Sequence, residues 1–266
     1  MLANFHTHTT FCDGKNTPEE MVLAAIEKGF QAIGFSGHVT TPYDLSYCMQ
    51  DMEGYKAEIQ RLKKQYQKEI QIYMGIEEDL YTLVNREEYD YLIGAMHYAK
   101  KGEAYYSIDS GTEYIRECVE LWENNPMVFA EYYFSTYCEY ISKRKPDIVG
   151  HFDLLTKYDE IIEPIFLDKE GYYEIAEKYL EKALESDCIF EINTGAMAKG
   201  YRKTPYPCEK LLHVMKKKDA KIMLSSDSHS ALTIDYQFDE MKYLLKDIGF
   251  KESYVIYNRE FYKIPL

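Results

Sequence analysis

The chain has 266 residues, 46% of them hydrophobic, which suffices for a sizeable buried core. Its formal net charge is −14 at pH 7; such a surface repels phosphate backbones and argues against a polynucleotide partner. A small anionic substrate remains compatible with it where bound cations invert the local field.

In chain order, short apolar runs alternate with longer amphipathic stretches, the pattern of repeated β-α units around a parallel sheet. The length suits a single α/β barrel domain spanning residues 1–266. Strands are predicted at 3–8, 32–38, 71–77, 91–96, 147–152, 188–193 and 221–225. An eighth run, 253–257, either closes the sheet or lies outside it. Thr17-Pro18-Glu19-Glu20 reads as a helix N-cap, a proline at the first position and acids in the first turn, and Gly29 ends that helix. Further helices are expected at 53–68, 112–124, 128–142, 171–185, 207–218 and 238–248, with a break near Asn125-Pro126. The 27 tyrosines read as amphipathic packing residues with hydroxyls directed to the surface. Cys12, Cys48, Cys118, Cys138, Cys188 and Cys208 form no CxxC pair and no disulfide framework. The opening MLANFHTH lacks an apolar signal region, and no apolar run approaches the ~18 residues of a membrane span. A cytoplasmic, reduced protein without membrane contact is the expectation.

Six of the seven histidines fall at or just past the C-terminal ends of predicted strands: His6, His8, His38, His97, His151 and His229. His213 falls inside a helix. Glu77 ends the third strand, Asp13 lies in the loop after His8, Asn193 ends the sixth strand and Asp227 follows the seventh. Parallel barrels build their active sites at that end. His6 and His8, two apart on a strand, point to one side and can grip one ion. Singly, each of these has an ordinary explanation as a solvated or capping residue; their convergence points to a metal site. Mixed His and carboxylate donors suit Zn²⁺, Mn²⁺ or Fe, and catalytic sites leave a position open for water.

The segments FHTHTTFCDG, IGFSGH, GIEED, AMHY, VGHFD, EINTG and SSDSH, in this order from residue 5 to 229, resemble those of the PHP superfamily, named for polymerase and histidinol phosphatase. That resemblance implies a distorted TIM-like (β/α)7 barrel with two or three divalent transition-metal ions. It implies a first ion on His6, His8, Glu77 and Asp227, a second on Glu77 as a bridge with His97 and His151, and a third on Asp13, His38 and His229. Many relatives carry His where this chain has Asp13. Glu78 rivals Glu77, but strand parity with Gly75 favours Glu77. HYAKKGEAYYSIDSGTEYI and EINTGAMAKGYRKTPYP are similar to the monofunctional histidinol-phosphate phosphatase branch, although AMAKGY diverges before Arg202-Lys203.

The branch implies hydrolysis of L-histidinol phosphate to L-histidinol and phosphate in histidine biosynthesis, by a hydroxide that the cations activate. Glu77, Asp227 and His229 carry the catalytic roles in this reading. Arg202, whose guanidinium fork matches phosphate, is the expected clamp, with Lys203 beside it. Asn193, Asp109 and Glu113 are the further substrate-binding candidates. Two alternatives stand: a PHP phosphoesterase for another small phosphate ester such as a nucleotide, and a PHP module that binds metal without turnover. Assembly into a homo-oligomer is left open.

Overall fold

The computed structural model describes all 266 residues. Its strands are β1 (Ala3–Asn4), β2 (Ala32–Phe35), β3 (Gln71–Asp79), β4 (Tyr91–Ala95), β5 (Tyr98–Lys101), β6 (Ala104–Ser107), β7 (Ile148–Val149), β8 (Ile189–Asn193), β9 (Ile222–Ser225), β10 (Glu252–Tyr257) and β11 (Glu260–Pro265). The α-helices are α1 (Pro18–Glu27), α2 (Met52–Gln65), α3 (Thr112–Leu121), α4 (Pro126–Arg144), α5 (Tyr172–Leu184), α6 (Gly195–Ala198), α7 (Glu209–Lys217) and α8 (Phe238–Ile248). Seven parallel strands form one sheet in the order β1-β2-β3-β4-β7-β8-β9, a nearly closed TIM-like barrel. Between its edges lies the isolated bridge Thr7↔Ser228.

Local sequence explains where the helices start. Thr17 and Glu20 form a reciprocal capping box with Pro18 in the first turn. Asn125 caps α4 by accepting the Met127 N–H at 2.9 Å, and Pro126 begins it. The expected break between α3 and α4 lies there.

The eighth apolar run does not join the barrel. β10 pairs antiparallel with β11, which the sequence reading missed. The hairpin packs Val255 and Ile256 in one apolar cluster with Ala3, Ala32, Ile148 and Ile189, the first residues of their strands. It therefore covers the barrel end opposite the histidines. A second hairpin, β5-β6, follows His97 and turns through Gly102, at φ +60°. The remaining core lies between the sheet and the helices, in two larger apolar clusters.

Tyrosine has a more specific use than surface packing. Tyr55, Tyr91, Tyr133 and Tyr137 are fully buried. Tyr91 donates to Phe5 O and Phe35 O, Tyr55 to Phe35 O and Gly75 O, and Tyr137 to Gly94 O and Gly150 O. β1 and β7 are only two residues long, and several of these carbonyls belong to or neighbour the short strands. These phenols give the buried carbonyls side-chain donors, additional to the backbone donor Gly150 N–H in the case of Gly94 O. Tyr91 fits because its neighbours are glycines: a Cβ at Gly75 would stand 2.3 Å from its ring and one at Gly34 2.3 Å from its hydroxyl.

All six cysteines are unpaired thiols. No helix is long and apolar enough to cross a membrane.

Candidate metal centre and cleft

Each histidine of the predicted set is delivered by chain that has just left a parallel strand. His6 and His8 follow β1, His38 follows β2, His97 follows β4, His151 follows β7, and Asp227 and His229 follow β9. Glu77 lies within β3, which runs further than predicted, to Asp79. Strand parity then separates the adjacent acids. Glu77 faces the histidines, whereas Glu78 accepts from Arg144 Nε at 2.8 Å and from Tyr140 at 2.7 Å on the other side.

Glu77 is the hub. Its Oε2 lies 2.7 Å from His38 Nδ1, 3.4 Å from His6 Nε2 and 3.6 Å from His8 Nε2. Its Oε1 lies 2.9 Å from His151 Nε2 and 3.3 Å from His97 Nε2. Asp227 Oδ1 faces His8 Nε2 at 3.1 Å and His6 Nε2 at 3.6 Å. Asp13 reaches His229 Nε2 at 3.1 Å, His38 Nε2 at 3.6 Å and His8 Nδ1 at 3.7 Å. All nine predicted ligands are thus brought together.

Whether these donors fit cations can be tested on distances. Four donors at about 2.0–2.2 Å around one tetrahedral ion stand about 3.3–3.6 Å apart. The cross-pairs among His6 Nε2, His8 Nε2, Glu77 Oε2 and Asp227 Oδ1 span 3.1 to 3.6 Å. Moreover, His6 Nε2, His8 Nε2 and Glu77 Oε2 are buried without a hydrogen-bond partner. Buried polar atoms seldom lack one, and a shared cation removes the anomaly. Compact donor groups also occur at His8-Asp13-His38-His229 and at His38-Glu77-His97. The residues fit two or three divalent ions.

The electrostatics agree. Burial alone would raise the Glu77 carboxyl, yet His38, His6 and His97 hold it well below the usual carboxylate range. Burial, with His229 and His38 beside it, pushes His8 down to about 3, so its ring is neutral at pH 7, as a ligand must be. For His6, burial is outweighed by Glu191, Asp227 and Glu77, which raise it. The pocket attracts positive charge.

A cleft of about 190 Å³ opens over these residues. Besides six of the ligands it is lined by Tyr47, Tyr98, Asp109, Ser110, Leu154, Lys157, Ala196, Lys199 and Tyr206. Of the substrate-binding candidates, only Asp109 is there. Burial opposes, but Lys157 and His97 prevail and hold its carboxyl down to about 2. Its partner Lys157 donates to Asp109 Oδ2 at 2.8 Å and to its carbonyl at 2.9 Å.

Arg202, the expected clamp, does not line the cleft. Its side chain is wholly buried, lies 4.3 Å from the Tyr206 ring and donates to Thr156 Oγ1 and Pro205 O. It sits behind the cleft wall because two acids, Asp153 and Glu160, and an aromatic face draw it inward. The cleft cations are Lys157 and Lys199. Lys203 and Glu113 are exposed and do not line the cleft. Asn193 is fully buried behind the ligands. His213 is half exposed on α7, as expected of a helix-face residue.

Sequence reasoning missed Glu191, Asp79 and Lys157. Asp79 accepts the His97 N–H and the Tyr43 hydroxyl. Glu191 was visible as an acid between Phe190 and Ile192 in an otherwise apolar strand, two residues from Asn193.

The pattern of the family described as PHP domain matches residues 4–195, well over half of the chain. The chain belongs to the PHP domain family. This PHP protein is 28% identical over 273 aligned positions to a "probable histidinol-phosphatase" of Schizosaccharomyces pombe, with 94% of this chain and 87% of the relative covered. It is 26% identical to a histidinol-phosphatase of Bacillus subtilis, with 88% and 96% covered. Its barrel superposes with a TM-score of 0.72 on a histidinol phosphate phosphatase from Lactococcus lactis crystallised with zinc, L-histidinol and phosphate. That structure is 21% identical, and the match covers 98% of each chain.

Proposed function

We propose that this PHP protein is a metal-dependent phosphomonoesterase that hydrolyses L-histidinol phosphate to L-histidinol and phosphate. The observation that carries the reading is the convergence of nine His, Asp and Glu side chains on one cleft, with buried donor atoms at the spacing of metal ligands. The relatives described as histidinol-phosphatases, aligned along most of both chains, support the substrate.

His6, His8, Glu77 and Asp227 would hold one ion; Glu77 with His97, His151 and the nearby His38 a second; Asp13, His38 and His229 a third. Bound there, divalent ions acidify water near neutral pH and neutralise phosphate oxygens. The protein's own groups do the rest. His229 Nδ1 lies 2.9 Å from the Asp227 carbonyl, so its proton sits on Nδ1 and Nε2 turns to the cleft. Lys157, anchored by Asp109, offers an ammonium to the phosphate, and Lys199, just after α6, offers a second. Leu154 and the rings of Tyr47, Tyr98 and Tyr206 displace water beside the reacting ester. In the overall reaction the ester P–O bond breaks, water supplies the new P–O bond, and its proton goes to the departing alcohol.

The test is phosphate release by protein reloaded with Zn²⁺ or Mn²⁺, across histidinol phosphate, nucleoside monophosphates and p-nitrophenyl phosphate. Histidinol phosphate should be preferred by orders of magnitude in kcat/KM, and His8→Ala should abolish turnover while keeping the native circular dichroism. Equal rates across the panel would remove the substrate assignment. No release from any ester would leave a metal-binding module instead.

A further inference from the structure

β8 is the barrel strand that brings no metal ligand to the cluster, yet it carries two buried polar side chains, Glu191 and Asn193, spaced so that both face the barrel interior. Glu191 is saturated. Its Oε2 lies 2.8 Å from His6 Nδ1 and accepts the Ser225 hydroxyl at 2.6 Å. Its Oε1 accepts the His151 backbone N–H at 2.6 Å and the Asn193 amide at 2.8 Å. No lysine or arginine pairs with it. Asn193 cannot turn its amide over, because its Oδ1 accepts the Gly195 N–H at 2.7 Å. Its Nδ2 therefore reaches both Glu191 and, at 3.3 Å, Asp227 Oδ2.

Each contact leaves the right atom free. A carboxylate on His6 Nδ1 fixes the ring proton there and turns the Nε2 lone pair to the cluster. An amide on Asp227 Oδ2 leaves Oδ1 for His6 and His8. Asp227 also stands at φ +45°, a region rarely adopted by residues with a Cβ. Gly195 permits its approach, since a Cβ there would lie 2.7 Å from Asp227 Cβ.

We propose that Glu191 and Asn193 are positioning residues: β8 orients His6 and Asp227, ligands of the first metal site from two other strand ends, and thereby sets the affinity of that site. The proposal rests on the ligand assignment under the proposed function. It replaces substrate binding as the role of Asn193.

The experiment is a Zn²⁺ titration of the full chain, stripped of metal, against a chromophoric chelator, for wild type and Glu191→Gln. One ion should bind about 10–100-fold more weakly in the variant. The visible spectrum of the Co²⁺-loaded protein should also change, which a merely structural residue would not cause. Wild-type affinity at every site in Glu191→Gln overturns the proposal. Should that variant fail to fold, Asn193→Ser, which leaves the Glu191–His6 contact in place, serves instead. It should weaken one site, and unchanged binding overturns the proposal equally. If wild type itself retains no Zn²⁺, the ligand assignment fails first, and that result is distinct from a variant that matches a metal-binding wild type.

Discussion

Replacing Arg202 by alanine separates its two roles, phosphate clamp and buried brace. The guanidinium is wholly buried, with Asp153 Oδ2 at 3.9 Å and Glu160 Oε1 at 3.7 Å. Asp153 is itself fully buried, and burial already pushes its carboxyl upward, with Arg202 the first influence opposing that. Removing one partner of a buried pair costs about 3–5 kcal/mol, because the other charge stays behind. For a chain of this size each kcal/mol lowers Tm by roughly 2–4 °C, so a loss on the order of 10 °C is expected. The deficit should shrink as pH falls. A carboxyl whose folded pKa exceeds its unfolded one takes up a proton in the folded state, so its penalty grows with rising pH and vanishes once it is protonated in both states. Scanning calorimetry of Arg202→Ala measures the loss, and kinetics well below Tm should show KM little changed. The double variant Asp153→Asn/Arg202→Met removes both charges and should recover much of the stability. An unchanged Tm with a strongly raised KM would refute this reasoning and return the guanidinium to the phosphate.

Lys157→Met should raise both KM for the ester and the inhibition constant for inorganic phosphate by roughly 10–100-fold, the equivalent of one charge-assisted hydrogen bond of about 1.5–3 kcal/mol; initial rates with and without added phosphate check it. Tyr55→Phe leaves Phe35 O and Gly75 O without their shared phenol donor and should cost about 1–3 kcal/mol in urea unfolding, with activity per folded molecule unaltered. Chelator treatment should abolish turnover, and Zn²⁺ or Mn²⁺ should restore it; activity that survives complete stripping would contradict the metal reading.

The convergence of the nine candidate ligands was legible because His and Asp just after apolar runs are conspicuous and the period of two fixes which side they face. Glu77 could be separated from Glu78 by the Gly-x-Glu pattern together with that parity. The burial of Arg202 was not legible because it depends on Asp153, Glu160 and Tyr206, a partnership made only by the folded chain. The two hairpins escaped for a local reason. Tyr98 to Lys101 lacks clear apolar alternation, and the β10-β11 turn uses Asn258 and Arg259, both at positive φ, rather than an Asn-Gly pair. Glu191 stood out as an acid inside an apolar strand, but its use appears only once His6, Ser225 and Asn193 surround it.

The way the barrel closes has a consequence for handling this protein. β1 and β9 are the sheet's two edges, and across the gap run the Thr7↔Ser228 bridge, two bonds between Ser228 and the backbone of His6 and His8, and the Asn4–Ser226 side-chain contact. His6 and His8 stand on one side of that seam, Asp227 and His229 on the other, so an ion gripping both sides acts as a rivet. Stripping it should speed amide exchange at His8 and Ser228 before that of mid-sheet Ile72 or Leu92. An opened seam bares two strand edges able to pair with another molecule, which makes the demetallated form the one prone to aggregate.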